Sequence, residues 1–397
     1  MPAPLSDILV LDLTNVLAGP FCCHQLAHLG AEVIKIERPG SGDLARRLGA
    51  DARLNAAGMG ASFLAQNAGK KSVTLNLKSA EGKSLLKRLV AKADVLVENF
   101  RPGVMRRLGL SHDVLKEINS ELTYCAISGF GQDGPWVDRP AYDQIIQGAS
   151  GVMSITGSAG STPTRVGYPV ADTVGGLTAA FAITAALNKR PRGAFIDVSM
   201  LESVLATMGW VVSNHLIADV IPEAHGNENP TSAPSGSFST ATDPINVAAN
   251  SDDQWVLLTD HLGLACLRDR TEYATREVRK RNRDRLRAEI EAVLVTRPAR
   301  DWVEELNRIG VPTGAVLSVP EVLRSEQITG RGFLAAFENV PGVGRDIEVA
   351  RTGVRLDGEA AAVDSPPPEL GQHNRETWGR IGISDSELER LERIGVI

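Results

Sequence analysis

Apolar positions along the chain form short runs that alternate with helical stretches. The run Ile8–Leu13 is almost entirely apolar, which is typical of a strand buried on both faces. A helix is predicted over Pro20–Leu29, and the next apolar run is Val33–Ile36. The order strand, helix, strand predicts a βαβ unit at the start of the chain.

The same alternation continues towards the middle of the chain. Strands are predicted at Ser72–Leu77, Asp94–Val97 and Phe195–Val198, and helices at Ala80–Ala93 and Met200–Val220. Strands separated by helices are typical of an α/β protein with a parallel sheet. In such a sheet, ligands bind in the loops outside the carboxyl ends of the strands.

A change of composition marks candidate domain boundaries. Residues 221–234 are polar and contain three prolines, which predicts a linker. It separates residues 1–220, the first part of a large domain, from residues 235–326, a smaller α+β domain. Residues 327–397 are expected to form a return linker and the C-terminal part of the large domain.

The small domain and the C-terminal tail carry their own patterns. Residues 238–259 predict short strands with turns, and the residues rich in Arg and Glu that follow predict helices with a solvated face. The chain ends in an amphipathic helix that is expected to begin at Ser384 or Asp385.

The segment between Arg165 and Lys189 contains one charged residue, Asp172. The alanine-rich run Leu177–Leu187 behind it predicts a buried helix, so Asp172 is expected at the junction of a loop and a helix. One interpretation is a helix N-cap, since Asp accepts hydrogen bonds from first-turn N–H groups. Another is a carboxylate in apolar surroundings that serves as a nucleophile or base. The two interpretations are compatible.

Two predicted strand ends carry candidate ligand-binding residues. Arg38 follows the second strand, where an arginine suits an extra phosphate on a dinucleotide or is simply a solvated surface residue. The first βα turn lacks the G-x-G-x-x-G fingerprint, which weighs against the NADP-dependent oxidoreductase that Arg38 would favour. The loop after Asp94–Val97 combines an amide, an aromatic ring and cations that suit an adenine and phosphates, or that flank a surface helix; they are Asn99, Phe100, Arg101, Arg106 and Arg107.

The composition narrows the class of protein. The 397-residue chain is long enough for two domains, its net charge of −6 argues against general nucleic-acid binding, and its four cysteines form no C-x-x-C pair. The N-terminus lacks the features of a signal peptide, and no uncharged apolar stretch reaches the length of about 18 residues that a membrane span needs. We therefore expect a cytoplasmic protein that binds neither nucleic acid nor membrane and has no metal site.

Seven segments stand in this order along the chain: LDLTNVLAGPFC, LGAEVIKIERPGSGD, KSVTLNLKSAEGK, DVLVENFRPGVMRRLGL, ISGFGQDGP, ADTVGGL and PPPELGQH. In this order they resemble the motifs of the class III CoA-transferases, the CaiB/BaiF family. Each segment is weak by itself, but the ordered set is specific. The resemblance extends over essentially the whole chain.

The resemblance implies an α/β fold with a Rossmann-like large domain built from both chain ends, a small α+β domain, and an interlocked homodimer of two ring-like chains. It also implies a CoA-transferase that moves CoA from an acyl-CoA donor to a free carboxylic acid through an aspartyl-CoA thioester. The coenzyme A thioester is then a substrate, and no cofactor is bound permanently. A dicarboxylate acceptor would suit the Arg and Ser residues expected near the site.

Position by position, the resemblance assigns roles to residues of this chain. Asp172 matches the catalytic aspartate. The positions that match CoA-binding residues are Val16, Leu17, Arg38, Leu75, Asn76, Leu77, Lys78, Asn99, Phe100, Arg101, Arg107, Pro140, Ala141, Tyr142 and Asp143. A glycine-rich loop that faces the site in formyl-CoA:oxalate members corresponds to APSGSF, so the expected acyl or acceptor site is Ser235, Gly236 and Ser237.

Three positions depart from patterns within the family. Leu17 stands where formyl-CoA:oxalate members have Gln, which disfavours oxalate and formate. The loop APSGSF has a single glycine, Gly236, so the hydroxyl groups beside it are candidate donors. Tyr142 stands where the α-methylacyl-CoA racemases of this fold have the His that serves as a second base. The sequence therefore favours CoA transfer over racemisation, the main alternative.

Overall fold

The computed structural model describes residues 3–397, which form two compact units. The first unit contains the chain through Val152 together with Arg165–Val220 and Glu326–Ile397. The second unit contains Met153–Thr164 and Ile221–Ser325. The chain thus leaves the first unit twice, after Val152 and after Val220, and returns to it at Arg165 and at Glu326.

Residues 221–234, predicted to be a linker, lie inside the second unit. Ala233 is buried, and its carbonyl oxygen accepts a hydrogen bond from Nε of Arg279 at 3.1 Å. The carbonyl oxygen of Pro234 accepts the N–H of Ala249 at 3.0 Å. Because its backbone groups find partners there, this segment is part of a folded unit and not a free linker.

The first unit is built on a six-stranded sheet and the helices between its strands. The strands are β1 Leu9–Asp12, β2 Glu32–Glu37, β3 Lys70–Thr74, β4 Val95–Glu98, β5 Thr123–Ser128 and β6 Ala194–Ser199. The helices of this unit up to Val220 are α1 Ala18–His28, α2 Ala52–Ala56, α3 Ala61–Asn67, α4 Ala80–Val90, α5 Val104–Leu108, α6 His112–Ile118, α7 Asp143–Ala149, α9 Val170–Leu187, α10 Met200–Thr207 and α11 Gly209–Ala218. Helix α8, Val152–Ile155, belongs to the second unit except for Val152.

All strands of this sheet are parallel, in the order β3-β2-β1-β4-β5-β6. In the middle of the sheet, Val10 lies beside Val33 of β2 and Val95 of β4. The strand order reverses between β1 and β4, which is the switch point where open α/β sheets bind ligands. The predicted α/β fold with a parallel, Rossmann-like sheet is thereby confirmed.

Apolar side chains cover both faces of this sheet. Because successive residues of a strand point to opposite faces, Val10 and Leu11 of β1 belong to different cores. Val10 packs with Cys22 of α1 and Ile183 of α9. Helix α9 is long and apolar enough to span a membrane by length and composition, yet here it is a helix of this core.

The second unit combines a small antiparallel sheet with helices. Its strands, in the order β7-β8-β9, are β7 Ser235–Phe238, β8 Ile245–Ala248 and β9 Thr313–Ala315. Its helices are α12 Asp252–His261, α13 Arg276–Arg281, α14 Arg283–Leu294, α15 Ala299–Arg308 and α16 Val319–Arg324. Trp255, Tyr273 and Trp302 are buried in its core.

Helix α12 replaces strands that the sequence predicted. Oγ of Ser251 accepts the N–H of Gln254 at 3.2 Å, and Oε1 of Gln254 accepts the N–H of Ser251 at 3.1 Å. This capping box satisfies two N–H groups of the helix start. It outweighs the strand preference of the Trp and Val that follow.

The C-terminal residues return to the first unit and cover the β3 edge of the sheet. Their elements are α17 Glu326–Thr329, β10 Leu334–Phe337, β11 Ile347–Ala350, β12 Arg355–Leu356, β13 Glu359–Ala360, α18 Asn374–Arg380 and α19 Asp385–Arg393. Oδ1 of Asn374 accepts the N–H of Thr74 at 2.8 Å, and the N–H of Ser72 donates to Nδ1 of His373 at 3.1 Å. An edge strand that would otherwise expose N–H groups is thus paired with side chains.

Two element boundaries differ from the sequence prediction. Strand β3 is Lys70–Thr74, whereas the apolar alternation predicted Ser72–Leu77. The single helix predicted over Met200–Val220 is divided between α10 and α11. The division falls at Gly209, whose φ of +27° does not continue a helix.

Candidate active site

Asp172 lies in the first turn of α9, whose N-cap residue is Pro169. The interpretation of Asp172 as the N-cap is therefore wrong. The carboxylate of Asp143, at the start of α7, takes that role instead: its Oδ1 accepts the N–H of Ala171 at 2.9 Å and that of Asp172 at 3.4 Å. A residue distant in sequence thus supplies the acceptor that first-turn N–H groups need.

The surroundings of Asp172 raise the pKa of its carboxyl group to about 7, first because the group is buried and second because the charge of Asp143 is close. Within residues 3–397, the Asp172 carboxylate forms no hydrogen bond. First-turn amides do not hold it ionised, since the N–H groups of Ala171 and Asp172 bind Asp143. An unpaired carboxylate of raised basicity has the properties of a nucleophile or base.

Close packing of α9 on neighbouring helices fixes the position of Asp172. A Cβ atom on Gly176 would lie 2.5 Å from the carbonyl oxygen of Ala18, and one on Gly175 would lie 2.9 Å from Cγ of Met200. Only glycine permits so close an approach of the α9 backbone. Asp172, one turn earlier on α9, is thereby held near the start of α1, and both line one cavity.

The loop that leads into α1 has a strained backbone. Val16 has a φ of +65°, which is rare for a β-branched residue. Its N–H donates to Oδ1 of Asp43 at 2.9 Å, and Oδ2 of Asp43 lies 2.9 Å from Nζ of the buried Lys35. Nζ of Lys35 also donates to the carbonyl oxygen of Thr14 at 3.0 Å. A buried ion pair therefore holds this loop in its conformation.

Reciprocal hydrogen bonds join the loops after β1 and β4 at the switch point. The N–H of Asn15 donates to Oδ1 of Asn99 at 2.8 Å, and Nδ2 of Asn99 donates to the carbonyl oxygen of Asn15 at 2.8 Å. In the same loop, the N–H groups of Leu17 and Ala18 have no acceptor within residues 3–397. Two unpaired donors therefore lie at the N-terminus of α1.

A cavity of about 350 Å³ opens between these elements, and Asp172 lines it. Seven residues predicted to contact CoA share its wall: Val16, Leu17, Asn99, Phe100, Arg101, Ala141 and Tyr142. The sequence prediction missed Asn15, Ala18, Leu44, Ile127, Ser128, Gly129 and Met200. Ser128 ends β5 and Met200 follows β6. Because ligands bind at the carboxyl ends of parallel strands, a search at the end of every predicted strand would have found these two missed residues.

Arg38 and the segment Leu75–Lys78 come together in a neighbouring cleft of about 550 Å³. Asn15 and Phe100 line both this cleft and the cavity of Asp172, so the two spaces adjoin. The cleft presents the cations Arg38 and Lys78 among apolar residues. The arrangement suits an elongated anionic ligand whose reactive end reaches the smaller cavity.

Three predicted CoA contacts lie outside these walls. Arg107 lines a third cavity, of about 480 Å³, together with Glu98 and Tyr124. Pro140 is exposed and belongs to neither wall. Asp143 is buried, and both its oxygens have partners inside the protein, so the structure gives it the capping role in place of a ligand contact.

Ser235, Gly236 and Ser237 belong to the second unit, where they form part of β7. Gly236 pairs with Val247 of β8, and a Cβ atom on Gly236 would lie 2.8 Å from the carboxylate of Glu228. Ser235 is buried. The glycine-rich loop expected here is therefore a strand, because its backbone pairs with β8.

Comparison with known proteins places this chain in a family. A family model for CoA-transferase family III matches residues 5–374. The succinate–glutarate CoA-transferase of Agrobacterium fabrum is 35% identical over 98% of this chain and 97% of its own length. The acetyl-CoA:oxalate CoA-transferase of Acetobacter aceti is 37% identical over 91% of this chain and 95% of its own length.

A solved structure agrees with these relatives. A CaiB/BaiF family protein from Brucella suis matches with a TM-score of 0.83 at 33% identity, covering 96% of this chain and 100% of that chain. The fold and the site thus define an α/β enzyme with a carboxylate at the switch-point cavity. The chain belongs to the family III CoA-transferases, the CaiB/BaiF family, and is a CoA-transferase.

Proposed function

We propose that this enzyme moves CoA from an acyl-CoA donor to a dicarboxylic acid through a covalent thioester on Asp172. The observation that carries the proposal is the unpaired, partly buried carboxylate of Asp172, which lines a cavity adjoining the cleft of Arg38 and Lys78. The names of the relatives support the acceptor class, since succinate, glutarate and oxalate each carry two carboxyl groups.

The first half-reaction loads CoA onto Asp172. An oxygen of its carboxylate attacks the thioester carbonyl carbon, the C–S bond breaks, and a mixed anhydride and CoA thiolate form. The thiolate then attacks the Asp172 carbonyl carbon of the anhydride. This step releases the donor acid as a carboxylate and leaves CoA on Asp172 as a thioester.

The second half-reaction runs the same steps in reverse with the acceptor. A carboxylate oxygen of the acceptor attacks the aspartyl thioester, which gives a new anhydride and CoA thiolate. The thiolate attacks the acceptor carbonyl carbon, so the new acyl-CoA forms and Asp172 is again a free carboxylate. ATP is not needed, because each covalent intermediate keeps the free energy of the starting thioester.

Each attack places negative charge on a carbonyl oxygen, which needs hydrogen-bond donors. The N–H groups of Leu17 and Ala18 are the proposed donors, since both residues line the cavity and neither N–H has an acceptor among the described residues. Their place at the N-terminus of α1 adds the favourable end of the helix dipole.

We further propose that the chain acts as a homodimer in the cytoplasm. Large apolar side chains exposed on α9 and α11, among them Phe181, Trp210 and Ile217, support a covered surface in the working enzyme. The free thiols of Cys22, Cys23 and Cys125 suit a reducing compartment.

The covalent intermediate provides the decisive test. Incubation with an acyl-CoA donor and no acceptor acid should add the mass of CoA less one water to a peptide that contains Asp172, because one carboxyl oxygen of Asp172 leaves with the donor acid. Hydroxylamine should then convert that residue to a hydroxamate, because a thioester is far more electrophilic than a carboxylate. The Asp172→Asn variant, which keeps the shape of the side chain, is the matched control and should gain no mass.

Two other outcomes would change the conclusion. An adduct on a different carboxylate would remove Asp172 from its proposed role. Exchange of the donor's α-proton with deuterated water, without any adduct, would favour the racemase alternative. Tyr142 lines the cavity with Asp172, and no histidine shares that wall among the described residues, so we expect the adduct and no exchange.

A further inference from the structure

We propose that Asp143 is a positioning residue of the transfer reaction: it fixes the first turn of α9 and sets the charge around Asp172. The inference rests on the proposed function, in which Asp172 is the nucleophile. The family resemblance implied that Asp143 contacts CoA. We infer instead that it acts on other residues of the protein. The hydrogen bonds of its two oxygens carry the argument.

Both carboxylate oxygens of Asp143 are occupied. Oδ1 accepts the N–H of Ala171 and that of Asp172, as described above. Oδ2 accepts from Nε2 of Gln147 at 2.6 Å and lies 3.4 Å from Nη2 of Arg165. Asp143 is only 7% exposed. It therefore acts on the reaction through Asp172 and not on a ligand.

Gln147 extends the same network to the segment before α9. Its side chain is fully buried, its Oε1 accepts the N–H of Val166 at 2.9 Å, and its Nε2 also donates to the carbonyl oxygen of Tyr168 at 3.3 Å. Helix α7, residues 165–168 and the first turn of α9 are thus one hydrogen-bonded group. A displacement of Asp143 would displace the backbone of Asp172.

The second effect of Asp143 is electrostatic. A negative charge beside Asp172 disfavours its ionised form, and it makes the carboxylate more basic and hence a stronger nucleophile once it is ionised. Arg165 opposes this effect by neutralising part of the charge of Asp143.

Other titratable groups surround Asp172 at the elements packed against α9 and in the cavity wall. The segment before α9 adds Tyr168. The remaining groups are Cys22, Cys23, His24, His28, Tyr124, Cys125, Asp197, Glu202, Arg101 and Tyr142. None of these groups contributes to the raised pKa of the Asp172 carboxyl group, which has two causes, burial and the charge of Asp143.

The test is the pH profile of kcat/KM for the acyl-CoA donor. In the wild type, activity should rise with pH through about 7, because Asp172 must be ionised to attack. Asp143→Asn keeps the Oδ1 acceptor and removes the charge. We expect its acidic limb to lie at least about half a pH unit lower, with turnover at pH 8 reduced roughly three- to tenfold.

Three variants separate charge from structure. Asp143→Glu keeps the charge and shifts the carboxylate, so it should lower turnover and leave the limb near its wild-type position. Arg165→Gln should move the acidic limb to higher pH, opposite to the shift expected for Asp143→Asn. If Asp143→Asn does not fold, the shift in Arg165→Gln tests the role of the Asp143 charge by itself. Glu121→Gln, an exposed carboxyl group outside the cavities described, should leave the profile unchanged.

The outcomes distinguish this inference from the proposed function. If the wild type forms no adduct on Asp172, the proposed function fails. If the adduct forms but Asp143→Asn and Arg165→Gln both leave the limb in place, only the role of Asp143 is overturned. If the adduct forms and the acidic limb shifts in opposite directions in Asp143→Asn and Arg165→Gln, the proposed function and the role of Asp143 are both supported.

Discussion

The surroundings that make Asp172 basic also cost folding free energy. The pKa of its carboxyl group is about 7 in the folded protein, against 3.8 for an aspartate in water. Between these values the unfolded chain binds fewer protons than the folded protein does at this site. The free energy of unfolding therefore falls as pH rises through this window, by up to about 4 kcal/mol in total. Such a cost is usual where a reactive group is held away from water.

Asp172→Asn should therefore abolish transfer and stabilise the fold. Because the neutral amide avoids burial of a charge, its gain in unfolding free energy should be larger at pH 8 than at pH 5, by about 2.5 kcal/mol. Urea denaturation of both proteins at the two pH values measures the difference. Glu121→Gln serves as the control, and an Asp172→Asn gain that is equal at pH 5 and pH 8 would contradict the raised pKa.

At the scale of elements, the site depends on how closely α9 approaches α1. Gly176 brings the α9 backbone against the carbonyl oxygen of Ala18, where a methyl group would lie 2.5 Å away. The end of a flexible side chain can relieve such a contact by changing rotamer, but a backbone oxygen cannot. The two helices must therefore move apart to accept a larger residue at this position. Separation would move Asp172 relative to the donors at Leu17 and Ala18.

Gly176→Ala should thus lower turnover at least about tenfold, because misplacement by a fraction of an ångström weakens attack and oxyanion stabilisation together. Binding of the CoA donor should change much less, since the cleft of Arg38 and Lys78 does not include this contact. Steady-state kinetics with the donor varied would separate the two effects. Gly379→Ala on α18, where a Cβ atom meets nothing within 4 Å, is the control. A wild-type turnover for Gly176→Ala would show that α1 and α9 can move apart freely.

The elements that the sequence predicted well are those whose partners are close in sequence. The βαβ units depend on local apolar runs, and strand ends such as Asn99 follow from them directly. The role of Asp143 depends on contacts with Ala171 and Asp172, which no local pattern indicates. Helix α12 was missed because two polar residues of a capping box decided between helix and strand. Predictions failed where a few specific hydrogen bonds outweighed the periodicity.

At the scale of the whole molecule, exposed apolar side chains support the proposed homodimer. Ile217 is 84% exposed, Trp210 is 79% exposed and Phe181 is 74% exposed. Side chains of this size are seldom left in water on helices of a soluble protein, and a second copy of the same chain is the commonest cover. The resemblance to the family implies more than association, because it implies two ring-like chains that pass through each other.

An interlocked dimer differs from an ordinary one in how its subunits separate. Two closed rings cannot exchange partners unless one chain unfolds, so exchange should be limited by unfolding and not by the affinity of the interface. We expect that tagged and untagged enzyme, mixed in the native state for days, form no mixed dimers. After unfolding in denaturant and refolding together, the same mixture should give about half mixed dimers, as random pairing requires. Native mass spectrometry counts the three species in both samples. Mixed dimers in the native sample would show that the subunits are not interlocked, and a monomer at micromolar concentration would contradict the dimer itself.

The proposed apolar surface is tested separately by Ile217→Asp, with Ile217→Val as the control. Only the charged variant should refold with a lower yield of dimer, because only it places a charge in the apolar surface.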